Sequence, residues 1–154
     1  MRALVTGSGG FVGRHLVAHL REAGDEVVEW SGAPDTPDIT DRVAMETALD
    51  GLEIEACYHL AAQSRVDLSW DEPAQTMSTN AGGTVSLIEA LGSSGRRPRV
   101  MVMSSAEVYG RVDAAATPID ESLHPAPRTP YGVSKLAAEQ LAQLAGERRG
   151  MTVV

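Results

Sequence analysis

The sequence predicts an α/β fold, a doubly wound parallel sheet with helices on both faces. Three observations carry that expectation. Short apolar runs alternate with helical stripes along all 154 residues. The first run ends in a glycine-rich turn, Gly7-Ser8-Gly9-Gly10-Phe11-Val12-Gly13. Tyr131 and Lys135, four residues apart, open the last helical stripe.

Arg2 to Thr6 is a short apolar run closed by Gly7, the pattern of a buried parallel strand. The next helix begins near Gly10 or Phe11, repeats Val12, Leu16 and Leu20 every four residues, and stops at Gly24. Glu26 to Trp30 reads as a second strand, and the loop that follows to Asp38 holds Pro34 and Pro37. Asp41 to Asp50 reads as a short helix and Ala56 to Leu60 as a third strand. Pro73 suits the first turn of a longer helix reaching Leu91. After a turn-rich link from Gly92 to Pro98, Val100 to Met103 is a fourth strand running into Ser104 and Ser105. Arg111 to Pro130 is proline-studded and aperiodic, a surface loop. From Tyr131 to Arg148 a helix carries a stripe of Val133, Leu136, Ala137, Leu141 and Leu144, and Met151 to Val154 starts a fifth strand. A terminus inside a strand points to a fold cut short. The expectation is one cofactor-binding domain over residues 1–154, truncated before a C-terminal substrate domain.

A formal net charge of -8 and a pI near 4.9 argue against nucleic acid or an anionic membrane as partner. No run approaches the roughly 18 apolar residues of a membrane span. A strand beginning at Arg2 leaves no room for a signal peptide, and the single Cys57 in an apolar run suits a reducing cytoplasm. The four histidines are scattered; His15 and His19 share a helix face but lack a third ligand, so no metal site is expected.

The glycine turn has a physical reading. A glycine directly after the strand permits the tight turn, the next admits a pyrophosphate to the backbone, and the last lets helix and sheet pack closely. Free amides and the positive dipole end of the helix then face the phosphates. Gly7, Gly10, Phe11, Val12 and Gly13 are therefore candidate cofactor-binding residues. The second strand ends in Trp30-Ser31-Gly32, with neither the carboxylate that favours NAD nor the arginine that favours NADP, so Ser31 leaves both open. Asp38, followed by Ile39, is either an acceptor for the adenine amino group or a solvated loop carboxylate.

On a helix, Tyr131 and Lys135 share one face, about a turn apart. A fixed ammonium favours the phenolate, and a tyrosine tuned in that way exchanges a proton with a sugar hydroxyl near neutral pH.

Six ordered motifs then resemble the extended short-chain dehydrogenase/reductase family of nucleotide-sugar epimerases, dehydratases and reductases. They are Thr6-Gly7-x-x-Gly10-x-x-Gly13, Asp38-Ile39-Thr40-Asp41, His59-Leu60-Ala61-Ala62-Gln63-Ser64, Asn80-Ala81-Gly82-Gly83-Thr84, Ser104-Ser105-Ala106-Glu107-Val108-Tyr109-Gly110 and Pro130-Tyr131-Gly132-Val133-Ser134-Lys135. Ser69 to Pro73 and Ser105-Ala106-Glu107 look most like the branch acting on GDP-mannose derivatives, above all GDP-4-dehydro-6-deoxymannose reductases. The resemblance implies a Rossmann-type sheet, NAD or NADP as cofactor, a nucleotide-sugar substrate and a homodimer paired through helices 73–91 and 131–148. It implies that Leu60, Ala61, Ala62, Gln63 and Ser64 line the nicotinamide side of the cofactor and that Asn80 lies under it. It also implies that Ser105 bonds the sugar C4 oxygen, Tyr131 exchanges its proton, Lys135 holds the nicotinamide ribose, and hydride moves at C4. In the dehydratases an acid and a base follow the serine; here Ala106 has nothing to donate, and Glu107 is either a base or a structural carboxylate. That favours a reductase or epimerase over a 4,6-dehydratase. A dinucleotide-sensing module without turnover would need no Ser105, Tyr131 and Lys135; an inactive remnant would fail to bind NAD(P).

Overall fold

The structure, a computed structural model, describes residues 1–93, 95 and 97–154, residue 115 by its backbone alone. Four strands, β1 (Arg2–Thr6), β2 (Glu26–Trp30), β3 (Ala56–His59) and β4 (Arg99–Val102), form one sheet in the order β2-β1-β3-β4. All neighbours are parallel, so the expected doubly wound Rossmann-type sheet is present. Beyond β4, Val153 pairs with Val100 in a single parallel bridge, the beginning of the anticipated fifth strand. Strand order reverses between β1 and β3, and in such sheets the crevice at the strand carboxyl ends is where ligands bind.

Helix α1 (Phe11–Glu22) covers one face, where Ala3 and Val5 meet Val17 and Leu20. Helices α2 (Arg42–Leu49), α5 (Gly83–Ser93) and α6 (Pro130–Arg149) cover the other, around Leu4, Met45, Leu87, Ile88 and Ala142. Alternation along β1 sends Leu4 and Val5 to opposite layers, as period two requires. Cys57 lies in the second layer, and complete burial pushes its thiol up to about 12.

Two helical stripes differ from expectation. In α1 the buried positions are Gly13, Val17 and Leu20, and Val12 stands half exposed. Close seating of Gly13 on the turn fixes the helix phase, which rotates Val12 outward. In α6 the buried face is Tyr131, Ser134, Lys135, Ala138, Ala142 and Ala145, whereas Val133, Leu141 and Leu144 face solvent. Small residues let α6 lie against its neighbours, and a Cβ at Gly146 would collide with Val153.

The helix expected from residue 73 to 91 is interrupted. A short helix α3 (Leu68–Asp71) precedes α4 (Pro73–Met77), and a π-helical turn, Ser78–Gly82, joins α4 to α5. Such bulges insert one extra residue per turn and recur at functional sites. Residues 94 and 96 of the predicted link lie outside the described residues. Among those described, no helix is long and apolar enough to cross a membrane.

Candidate active site

A cavity of about 860 Å³ opens at the carboxyl ends of the strands. The glycine turn forms its floor. Gly7 sits at φ +69°, and a Cβ there would stand 2.8 Å from the Ala61 nitrogen. A Cβ on Gly13 would come within 2.6 Å of the Ser8 Cα. The Gly7 and Ser8 amides both donate to the Trp30 carbonyl, at 2.7 and 3.2 Å, which ties the turn to β2. Gly10, the N-cap of α1, offers no side-chain cap, so the first-turn amides of Phe11, Val12 and Gly13 are left for a ligand.

The cavity is also lined by residues 30–34 and 36–39, with Ser31, Asp38 and Ile39 among them. Asp38 Oδ1 accepts from both the amide and the hydroxyl of Thr40, each at 2.8 Å, and these bonds hold its carboxyl below the usual carboxylate range. Leu60, Ala61, Ala62 and Gln63 also line the cavity, together with Tyr131 and Lys135. Tyr131 is 9% exposed and Lys135 7%. Burial pulls the Lys135 ammonium down, while Glu139, one turn further on, pushes it back up. Asp38 and Lys135 are the charged side chains on this lining.

Three expected site residues do not line the cavity. Asn80 is 1% exposed, and its amide is committed elsewhere. Its Oδ1 accepts from the Gln63 amide at 2.8 Å, and its Nδ2 donates to the Gln63 carbonyl at 3.0 Å and to Ser134 Oγ at 2.9 Å. Ser134 in turn donates to the Tyr131 carbonyl at 2.7 Å. Asn80 therefore ties the wall at residue 63 to the start of α6, and acts on the cavity only through both. Glu107 points at Thr129 Oγ1, 3.2 Å away, not at the cavity. Ser105 caps the turn at Ala106–Val108 by accepting from the Glu107 amide at 3.2 Å, which leaves its own proton free to donate.

Ser104, which the sequence offers as a strand-end residue or a second catalytic hydroxyl, lines the cavity with Met103, and its shielded Oγ has no hydrogen-bond partner among the described residues. An orphaned buried hydroxyl is costly unless a ligand completes it. Together with the glycine cradle, it makes the cavity a chemical fit for a dinucleotide. Beneath the wall runs a buried thread that sequence reasoning missed. Ala61 N–H donates to Thr6 Oγ1 (3.2 Å), which pairs with His59 Nδ1 (2.7 Å), and His59 Nε2 pairs with Thr84 Oγ1 (3.0 Å). Thr84 donates its own proton to the Asn80 carbonyl at 2.6 Å, so it accepts from His59 Nε2–H, and Thr6 donates to Nδ1. That assignment makes His59 a neutral imidazole. Burial first, and then the Lys135 charge, lower its pKa to about 3.

Residues 3–154 match the NAD dependent epimerase/dehydratase family. The chain belongs to this family. It is 39% identical to the GDP-6-deoxy-D-mannose reductase of Pseudomonas aeruginosa, over 99% of this chain and 50% of that protein. It is 37% identical to a UDP-glucose 4-epimerase of Streptomyces lividans, over 90% of this chain and 45% of that one. Among solved structures, RMD from Pseudomonas aeruginosa complexed with NADPH superposes with a TM-score of 0.88 at 39% identity, covering 99% of this chain and 52% of that chain. UDP-glucose 4-epimerase from Brucella ovis in complex with NAD gives 0.90 at 27%, covering 99% and 50%. The chain thus spans about half the length of the relatives it matches. The extended short-chain dehydrogenase/reductase resemblance is borne out over nearly the whole chain.

Proposed function

We propose that this chain is the cofactor-binding, catalytic half of an NAD(P)-dependent nucleotide-sugar oxidoreductase that moves hydride at sugar C4, with reduction of a GDP-4-dehydro-6-deoxyhexose the favoured reaction. One observation carries the reading: buried Tyr131 and Lys135 share a cavity with the glycine turn. When bound, the nicotinamide supplies the hydride. The chain's own residues do the rest. The amides of Phe11, Val12 and Gly13 take the phosphates, Ser31 and Asp38 face the adenosine, and Ser104 completes its hydroxyl on the cofactor. Lys135 holds the nicotinamide ribose. Ser105 donates to the C4 oxygen, and Tyr131 delivers the proton that this oxygen needs as it becomes a hydroxyl.

Reduction and epimerisation need only these groups. Dehydration needs an acid and a base as well, and here Ala106 lacks one while Glu107 is engaged with Thr129. The solvent-facing Val133, Leu141 and Leu144 of α6 support pairing with a second copy. A lone buried thiol supports a cytoplasmic setting.

Fluorescence titration with NADH and NADPH tests the cofactor assignment. A carboxylate added at Gly10 stands at the helix start where the phosphates bind, so Gly10→Glu is expected to weaken binding by about a hundredfold or more, roughly 3 kcal/mol. Equal affinity in wild type and variant would remove the cofactor assignment.

A further inference from the structure

The loop that carries Ser105 and the helix that carries Tyr131 are distant in sequence and are fastened together away from the cavity. The Glu107 amide donates to Ser105 Oγ at 3.2 Å, and the Glu107 carbonyl oxygen lies where a Cβ on Gly132 would approach to 2.6 Å. The Glu107 side chain accepts from Thr129 Oγ1 at 3.2 Å, and the same oxygen caps α6 by accepting the Gly132 amide at 2.9 Å. One turn along, the Ala126 amide donates to the Val108 carbonyl at 2.9 Å. Gly110, at φ +64°, lies against the Ala126 carbonyl with no space for a side chain. A carboxylate beside the amide end of a 20-residue helix is also favoured by the helix dipole.

We infer that Glu107 is a positioning residue: through Thr129 it fixes the first turn of α6, and so sets Tyr131 against Ser105, and it carries no proton to or from the sugar. What it positions rests on the proposed C4 chemistry; the clamp itself does not. Its hydrogen bond needs an acceptor, not a charge. Glu107→Gln keeps an acceptor and Thr129→Ser keeps a donor, whereas Glu107→Leu and Thr129→Val remove them.

The test measures kcat, its pH profile and NAD(P)H affinity for these four variants and for the Leu/Val double variant. Gln and Ser are expected to stay within about twofold of wild type, with both limbs of the pH profile kept. Leu and Val are each expected to lose about tenfold in kcat with unchanged cofactor affinity, and the double variant to lose no more than one of them, because both break a single contact. A Glu107→Gln loss as deep as that of Glu107→Leu, or losses that multiply in the double variant, would overturn the inference. Should no nucleotide sugar be turned over by wild type, the functional reading falls and amide hydrogen exchange decides the clamp. Exchange at residues 131–134 is then expected to quicken by about tenfold in the Leu and Val variants and not in Gln or Ser. Equal exchange in all four would overturn it.

Discussion

Tyr131→Phe is expected to lower turnover by about 10² to 10⁴-fold while leaving NAD(P)H affinity within about twofold. The ring is 9% exposed and packed into the wall of the cavity, so phenylalanine occupies the same volume and keeps the fold. Only the hydroxyl is lost, and with it the proton that the proposed role delivers to the C4 oxygen. Because that interaction matters as charge develops on the oxygen, the loss falls on kcat and kcat/KM together, with KM little changed. The readout is NAD(P)H oxidation with a 4-keto nucleotide sugar, beside a cofactor titration on the same samples. Undiminished turnover would discard the proton-transfer role. A parallel loss of cofactor affinity would mean that the hydroxyl serves cofactor binding and not proton transfer alone.

Acid is expected to destabilise the protein through His59. In the native chain burial holds this imidazole neutral with a pKa near 3, against 6.5 unfolded. Between those values the unfolded chain binds a proton that the native chain refuses, so stability is complete above the unfolded value and falls as pH drops towards the folded one. The slope from this residue alone is about 1.4 kcal/mol per pH unit at its steepest, a large share of the roughly 5–15 kcal/mol that holds a domain together. Protonation would also turn Nδ1 into a donor, so Thr6 could no longer donate to it and its hydroxyl proton would lose that acceptor. Urea denaturation at several pH values between about 7 and 4.5 measures the slope. His59→Asn is expected to be weaker at neutral pH, because it cannot reach both threonines, yet flatter towards acid. Wild-type and variant slopes that run parallel would show that His59 does not titrate with folding.

The chain's order of strands and helices was legible because β1 to β4 are short apolar runs with turn residues at their ends, and a short apolar run against a helical stripe is local information. The glycine turn and the Tyr131–Lys135 pair were legible for the same reason: strand, turn and helix start lie within a dozen residues, and a pair four apart on a helix shares a face whatever surrounds it. Which side of each helix is buried was not. Val12, Leu141 and Leu144 look like core residues by hydrophobicity, but close contacts of Gly13 with the turn at Gly7 and Ser8, and of Gly146 with Val153, set the rotation of α1 and α6, and a hydrophobic pattern carries no record of such steric contacts. The roles of Asn80 and Glu107 depend in the same way on partners 17 and 22 residues away. Sequence alone determined the four strands and the candidate site residues, because both follow from spacing along one segment. Tertiary structure alone decided which of those residues face the cavity and which hold the others in place, because a hydrogen bond between distant segments exists only once the sheet and its helices have been packed together.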